Sequence, residues 1–108
     1  MLNDILTASG IPYRKSRFLN PPAETYGICF DNLTVDGPDP LPGVPQTVRH
    51  DVMVELYEPK PDPDAEAAIE AELRARGLHW TKEDRYWLQD AQRYQVVYEF
   101  NYNEKVRA

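Results

Sequence analysis

The end of the chain alternates between apolar and polar side chains with a period of two residues. In an extended chain this period places every second side chain on the same face. One face is apolar, and its residues are Tyr94, Val96, Tyr98, Phe100 and Tyr102. The other face is mostly polar. The pattern predicts a long, half-buried final strand in a mixed or antiparallel sheet.

Similar patterns predict further strands earlier in the chain. They cover residues 13–18, 26–35 and 48–57, and two short extended segments cover residues 78–82 and 85–89. Two prolines in residues 20–22 end the first of these strands, because proline cannot donate a hydrogen bond to a neighbouring strand. On the second strand, Tyr26, Ile28 and Phe30 share one face and Cys29 lies on the other.

Two segments carry the apolar spacing and the end signals of helices. A short helix at the start of the chain ends at Gly10. A longer helix begins after Asp62, a good N-cap followed by Pro63 at the first helical position, and ends at Gly77. Its narrow apolar stripe consists of Ala65, Ala68, Ile69 and Leu73. One face of this helix should therefore pack on the sheet.

The predicted elements follow the order α-β-β-β-α-β-β. We expect an α+β fold, with one small domain over residues 1–108, an antiparallel-rich sheet of about five strands and two helices packed against it. Residues 36–45 contain four prolines and two glycines, a composition that excludes regular structure. A stiff, projecting loop is therefore expected at residues 36–47, between the second and third strands.

Size and charge narrow the class of protein. With 108 residues and 42% hydrophobic content, the chain can bury one core. Its formal net charge of −6 disfavours general binding to nucleic acids or anionic membranes, since both need a surplus of Lys and Arg. There is no apolar run long enough to span a membrane, and residues 1–10 lack the features of a signal peptide. We expect a soluble protein of the cytoplasm.

The residue types that most often carry chemistry are scattered along the sequence. His50 and His79 have no second ligand at metal-site spacing, and Cys29 has no base placed beside it. The acidic start of the second helix resembles part of a calcium loop, but Ala67 occupies the position of the required glycine. No phosphate-binding glycine loop or nucleophile elbow is present. We therefore expect no enzyme activity, no catalytic residues, no cofactor and no metal site.

An aromatic group near the end of the chain has two interpretations. It comprises Trp80, Tyr86 and Trp87, with Arg85 and Arg93 nearby. Such residues suit a platform on which nucleic-acid bases stack. They also suit a hairpin whose side chains pack across neighbouring strands. The acidic net charge favours packing.

Four segments carry a resemblance to a class of phage proteins. They are IPY at 11–13, NPPAETY at 20–26, HDVMVELYE at 50–58 and YQVVYEF at 94–100. Through them, most of the chain resembles the tail terminator, or tail completion, proteins of long-tailed bacteriophages and of prophages in Gram-positive bacteria. These motifs are structural and include no catalytic signature.

The resemblance implies a role in virion assembly. Proteins of this family stop growth of the tail tube and join the tail to the head connector, acting as a hexameric ring through whose lumen DNA passes. The implied partners are further copies of the chain, the tail tube protein and the connector or neck proteins. The implied location is the host cytoplasm during assembly and then the virion tail or neck. The alternative is an acidic intracellular binding module or inhibitor encoded by a mobile element.

Local physical arguments select the candidate interface residues, since the resemblance supplies none. The apolar and proline candidates are Leu19, Pro21, Pro22, Leu41 and Val44, and the basic candidates are Arg14, Lys15 and Arg17. A stiff loop loses little entropy on docking, although its apolar side chains would also suit a cover for the core. The basic residues suit contact with acidic residues of a neighbouring subunit, with DNA in the ring lumen, or with solvent.

Overall fold

The structure is a computed structural model that describes residues 2–15, 21–35 and 45–107 of the chain. Its helices are α1 (Leu2–Ser9) and α2 (Pro63–Ala75). Its strands are β1 (Tyr13–Lys15), β2 (Tyr26–Val35), β3 (Pro45–Glu58), β4 (Trp80–Lys82), β5 (Tyr86–Leu88) and β6 (Arg93–Arg107).

The six strands of the described residues form one mixed sheet. Their order is β1-β2-β3-β6-β4, and β5 also pairs with β6. Strand β1 runs parallel to β2, whereas every other pair is antiparallel. The longest pairing joins β3 to β6, from Pro45 opposite Arg107 to Glu58 opposite Tyr94. The α+β fold expected from the sequence is confirmed.

One face of the sheet packs against both helices. The cross-strand pairs Val54–Tyr98 and Leu56–Val96 lie at its centre, and all four side chains are buried. Buried side chains of the helices complete the same cluster, and they are Ile5, Leu6, Ile69 and Leu73. The apolar face predicted for the final strand is confirmed at Val96, Tyr98 and Phe100, which belong to this core.

Strand β2 turns its small residues toward this core. Cys29 is 1% exposed and lies in the core cluster, whereas Phe30 points to the other face and is 36% exposed. Tyr26 is buried on that second face as well. On the core side of β2, a Cβ added at Gly27 would lie 3.8 Å from Cδ2 of Leu56, which is an ordinary van der Waals contact. The alternating pattern of β2 therefore predicted which residues share a face, but it did not predict which of the two faces packs against the helices.

Three strands continue past the part of the sheet that the helices cover. We call this extension the arm, and it consists of residues 31–35 of β2, 45–51 of β3 and 101–107 of β6. Its helix-side face carries Leu33 and Val35, which are 61% and 52% exposed. The arm contributes to an elongated shape, with extents of 50 × 29 × 22 Å.

The element boundaries differ from the sequence prediction in two respects. Three strands follow α2 where two were expected, so the described sheet has six strands in place of about five. Strand β3 already begins at Pro45, so the last three positions of the predicted loop at 36–47 belong to a strand. Proline is compatible with the first residue of a strand. Residues 36–44 of that loop, and residues 16–18 of the predicted first strand, lie outside the described residues.

Candidate functional site

The interface candidates selected from the sequence are only partly described. Arg14 and Lys15 are exposed on β1, the edge strand beside β2. Pro21 is exposed and Pro22 is half-buried in the segment before β2. The other candidates lie outside the described residues, and they are Arg17, Leu19, Leu41 and Val44. Of the described candidates, Arg14 and Lys15 therefore lie at one margin of the sheet, whereas the segment of Pro21 and Pro22 is linked to β6 by a hydrogen bond from Arg93 to the Ala23 carbonyl.

A network of ionisable side chains lies at the other margin, between α2 and the edge formed by β4 and β5. It draws residues from β3, α2, β4, the connection at 83–85 and β6. We call it the carboxyl cluster, and its members are Glu58, Glu66, Glu70, Lys82, Arg85 and Tyr98. It brings together three carboxyl groups, two cations and one phenol.

Helix α2 holds two of these carboxyl groups one turn apart. Asp62 caps the helix, since its Oδ1 accepts a hydrogen bond from the Ala65 N–H at 3.1 Å. The hydroxyl of Thr25 donates to Oδ2 of the same residue at 2.6 Å. Glu66 and Glu70 follow at a spacing of four residues, which places them on one side of the helix. The predicted N-cap is confirmed, and it orients the helix that carries both glutamates.

Strand register and an interruption of the edge strand bring the two cations to the cluster. Lys82, in β4, lies opposite Tyr98 of β6 and therefore shares its helix-side face. Strand β5 pairs with residues 93–95 of β6, and in the connection before it the Glu83 N–H donates to the Val97 carbonyl at 3.0 Å. Interruptions in edge strands redirect side chains. Here Arg85 turns toward α2 and, like Lys82, ion-pairs with Glu66.

The two cations cross-link the carboxyl groups. Arg85 Nε donates to Glu58 Oε1 at 3.1 Å, and its Nη2 donates to Glu66 Oε2. Lys82 Nζ lies 2.8 Å from Glu66 Oε1 and 2.9 Å from Glu70 Oε2. Glu66 therefore binds both cations and occupies the centre of the network.

Glu66 and Glu70 are held as carboxylates. The buried hydroxyl of Tyr98 donates to Glu70 Oε2 at 2.7 Å, beside the ammonium group of Lys82. Burial acts to raise the pKa of Glu70, but the hydrogen bonds from Lys82 and Tyr98 outweigh it and lower the pKa. Burial is likewise outweighed at Glu66, whose pKa is lowered by hydrogen bonds. Both groups therefore stay charged at neutral pH.

The pKa of Glu58 shifts in the opposite direction to the pKa values of Glu66 and Glu70. Its side chain is fully buried, and its Oε2 has no hydrogen-bond partner among the groups of the described chain. Burial, followed by a hydrogen bond with Glu66, raises the pKa of Glu58 to about 7. Two carboxyl groups can hydrogen-bond only when one carries a proton, because ionised carboxylates are acceptors only. A proton on Glu58 Oε2 supplies that bond and satisfies the otherwise unpaired atom.

The carboxyl cluster was not predicted from the sequence, although the sequence holds one signal of it. Glu58 continues the buried series Val52, Val54 and Leu56 on the core side of β3. A carboxyl group at a buried position implies a partner. Its partners come from other elements, so no spacing along the chain identifies them. The predicted stripe of α2 also omitted Glu66, which is buried beside Ile69 and Leu73.

A second ionic group lies in the arm. His50 of β3 places Nδ1 3.0 Å from Asp31 Oδ2 on β2 and Nε2 2.8 Å from Glu104 Oε2 on β6. Burial acts to lower the pKa of His50, but the hydrogen bonds and charges of the two carboxylates outweigh it and raise the pKa. The imidazolium form suits this site because both of its nitrogens donate. From the sequence, His50 was weighed only as a metal ligand, and neither of its two carboxylate partners was predicted.

The chemistry available to these groups is proton exchange and ion pairing. Within residues 2–15, 21–35 and 45–107, no three or more His, Cys, Asp or Glu side chains are arranged to hold a metal ion. Burial raises the pKa of the Cys29 thiol to about 11. Since the thiolate is the reactive form, the neutral thiol of Cys29 is a poor nucleophile at neutral pH.

The aromatic residues near the end of the chain do not share one surface. Tyr86 and Trp87 are adjacent on β5 and therefore point to opposite faces of the sheet. Trp87 packs edge-on against Tyr94 of β6, with ring centroids 4.9 Å apart. Arg85 is bound by two carboxyl groups of the carboxyl cluster. These positions favour the packing interpretation over a base-stacking platform.

A shallow depression of about 520 Å³ lies on the sheet face that carries no described helix. It is lined in part by His79, Thr81, Glu99 and Asn101, all of which are exposed. Small-molecule sites are usually more enclosed than this. The depression therefore gives no basis for assigning a ligand.

Neither α1 nor α2, the helices of the described residues, has the length and apolar character needed to cross a membrane. The carboxyl cluster and the ionic group of the arm are carried by a sheet with two short helices against one face. No protein-family model and no curated protein matches this chain.

Proposed function

We propose that the protein is a non-catalytic structural component of a phage or prophage virion. In this role it ends growth of the tail tube and joins the tail to the head connector. It acts as a ring of copies, hexameric as the sequence resemblance implies, that forms in the host cytoplasm and remains in the tail or neck of the particle. The arm is the structural feature that carries the proposal.

The arm suits docking because it projects from the core and exposes apolar side chains. Leu33 and Val35 lie two residues apart on β2, so they share one face. More than half of each residue is exposed. Neighbouring apolar side chains on a projecting element are typical of protein contact surfaces. Docking on the tail tube or the connector would remove them from water.

The ionic group of the arm supports the same role. His50 connects Asp31 on β2 to Glu104 on β6, so a single side chain ties together all three strands of the arm. A surface held in one conformation before contact loses less entropy when it docks. The arm therefore combines an apolar contact surface with internal bracing.

The two margins of the sheet carry opposite charges at exposed positions. Arg14 and Lys15 lie on β1, and Glu83 and Asp84 lie in the connection between β4 and β5 at the other margin. A closed ring of identical subunits requires two different surfaces on each copy. Contact between unlike margins of neighbouring copies would bring these charges together. This distribution supports a head-to-tail ring.

Quantitative peptide mass spectrometry on purified particles, combined with antibody-gold labelling, tests the proposal. We expect about six copies per particle, labelled where the tail meets the head. Particles produced without the protein should show tails of uncontrolled length or tails detached from heads. Absence of the protein from intact particles would contradict the proposal. That result would favour the alternative of an acidic intracellular binding module or inhibitor.

A further inference from the structure

Each of the two outer strands of the arm has an edge that no strand of the described chain covers. Strand β1 pairs with β2 no further than Cys29, so residues 31–35 pair only with β3. Strand β4 pairs with β6 no further than Phe100, so residues 101–107 also pair only with β3. The uncovered edges lie on opposite sides of the arm, because β3 runs between β2 and β6. An uncovered edge is a template for pairing with a further strand.

A backbone hydrogen bond shows which groups of β2 point to its uncovered edge. The Gly27 N–H donates to the Pro12 carbonyl at 2.8 Å, on the side away from β3. The register of β2 with β3 is unbroken from Gly27 to Val35. Backbone groups alternate between the two sides of a strand. The N–H and C=O groups of Leu33 and Val35, an even number of positions after Gly27, are therefore directed away from β3.

A second hydrogen bond gives the same information for β6. The Glu83 N–H donates to the Val97 carbonyl at 3.0 Å, again on the side away from β3. The register of β6 with β3 is unbroken through residue 107. By the same alternation, the N–H and C=O groups of Asn103 and Lys105 are directed to the uncovered edge, where the described chain places no strand.

The two edges match each other in level, direction and form. Leu33 and Tyr102 both lie opposite His50, so the edges are at the same level of the arm. Strands β2 and β6 run in the same direction, because both are antiparallel to β3. Residues 31–35 and 101–107 contain no proline, and their register with β3 contains no bulge. Proline and bulges are devices that protect exposed edges from pairing.

We propose that neighbouring copies of the chain join by strand addition, with residues 31–35 of one copy pairing in parallel with residues 101–107 of the next. The occupant of each edge is thus a second copy. This inference rests on the proposed ring of copies and specifies the contact that forms it. Edge pairing leaves the faces of the arm uncovered, so Leu33 and Val35 remain available to the tail tube or the connector.

The charges beside the two edges select this combination. Arg14 and Lys15 are exposed on the margin beside the β2 edge, and Glu83 and Asp84 are exposed on the margin beside the β6 edge. Pairing of unlike edges brings opposite charges together, whereas pairing of two like edges brings like charges together. Unlike edges on each copy are also what a closed ring requires.

The width of the sheet determines the form of such a ring. At the level of the core, β4 of one copy and β1 of the next lie between the paired strands. Two additional strands widen the spacing of the copies there by roughly 10 Å. A ring joined in this way therefore narrows toward the arms.

Residue-resolved amide exchange of the purified full chain, at low and high protein concentration, tests the pairing. In the dilute monomer, the amides of Tyr102 and Glu104, which are directed to β3, should exchange about tenfold more slowly than those of Asn103 and Lys105. On assembly, exchange at Asn103 and Lys105 should slow by about tenfold or more, while Tyr102 and Glu104 keep the protection that they have in the monomer. Leu33 and Val35 should gain protection together with Asn103.

Asn103→Pro removes one N–H group from the uncovered edge and keeps every N–H group that is directed to β3. Proline is tolerated in an edge strand at such a position. The variant should fold as a monomer, and native mass spectrometry should show its apparent dissociation constant for assembly raised by about a hundredfold or more. Asn103→Ala is the matched control, because it keeps the N–H group and should assemble like the wild type.

Assembly of Asn103→Pro at wild-type concentrations would overturn the proposal. A wild type that stays monomeric would also overturn it, as would exchange at Asn103 and Lys105 that does not change on assembly. The exchange measurement needs no variant, so it decides the matter if Asn103→Pro does not fold. Ring formation through other surfaces would leave the neck location of the protein intact, and absence from particles would leave the edge pairing intact.

Discussion

His50 lies flat against Tyr102 in the arm, with ring centroids 4.3 Å apart and ring planes 7° from parallel. Glu104 lies two residues after Tyr102 on β6, and it accepts a hydrogen bond from Nε2 of the same imidazole ring. Strand β6 thus offers an aromatic face and a carboxylate to one side chain of β3. Both contacts favour the charged form of histidine, and this has a measurable consequence for the arm.

The arm should lose stability as pH rises. The two carboxylates outweigh burial and hold the pKa of His50 above 6.5 in the folded protein. The stabilisation is therefore complete below pH 6.5 and is lost as pH rises through the folded-state value. Amide protection of residues 101–105, measured from pH 5 to pH 9, should show this loss in the wild type and not in His50→Gln. His79→Gln changes an exposed histidine outside the arm and should behave like the wild type, so the same loss in all three proteins would contradict the prediction.

The hydroxyl group of Tyr98 should stabilise the fold. Tyr98→Phe removes the 2.7 Å hydrogen bond to Glu70 in a fully buried position. We expect the free energy of unfolding in urea to fall by about 1.5–3 kcal/mol, the range for hydrogen bonds to charged groups. Tyr86→Phe removes a hydroxyl group from a residue that is 63% exposed, and it should change stability by less than about 0.5 kcal/mol. Equal losses in the two variants would show that the contact with Glu70 contributes nothing.

Cys29 should resist alkylation in the native protein. Burial of the side chain raises the pKa of its thiol from 9.0 to about 11, which lowers the reactive thiolate fraction by about a hundredfold. Its low exposure restricts access further. Labelling with iodoacetamide at pH 8, followed by mass spectrometry, should therefore be at least about a hundredfold slower than in urea-unfolded chain. Comparable rates in the two conditions would be inconsistent with this environment.

Polar substitution of the exposed arm residues should impair docking and leave the fold intact. Leu33→Ser and Val35→Ser, made together, remove apolar surface that the isolated protein does not bury. Stability should change by less than about 1 kcal/mol, while the fraction of particles with joined heads and tails should fall in a complementation assay. Thr34→Ser, at an exposed position on the opposite face of the same strand, is the control. Full joining by the double variant would exclude these two residues from the contact.

Charge reversal at the sheet margins tests the head-to-tail contact. A variant with Arg14→Glu and Lys15→Glu has two acidic margins, and one with Glu83→Lys and Asp84→Lys has two basic margins. Neither should form rings alone, because like charges would meet at each contact. A mixture should form rings of alternating variants, which native mass spectrometry would detect. Ring formation by either variant alone would remove these charges from the interface.

The features of the fold that depend on neighbouring residues could be predicted from the sequence. Asp62 and Gly77 marked the two ends of α2, since capping depends on the residues next to the helix. The alternation of β6 identified its buried residues because one side of that strand is clearly more apolar. Strand β2 has no such contrast, so its pattern did not show that Cys29, and not Phe30, faces the helices.

The ionic groups could not be predicted, because they depend on strand order and register. Asp31, His50 and Glu104 meet only because β2, β3 and β6 are adjacent in the sheet. Arg85 reaches Glu58 only because the edge strand is interrupted between β4 and β5. Neither the strand order nor the interruption of the edge strand can be predicted from the spacing of residues along the chain.

The core side of β3 has an ionisable residue at each end of its apolar series, His50 before Val52 and Glu58 after Leu56. If β3 slipped by two residues against β6, hydrophobic burial would hardly change, because the orientation of side chains repeats every two residues. A slip that set His50 opposite Phe100 would move His50 away from Glu104 and Glu58 away from Arg85, leaving charges without partners. These two end residues therefore disfavour an alignment that apolar packing alone would accept. In doing so they also determine how far the arm extends beyond the helices.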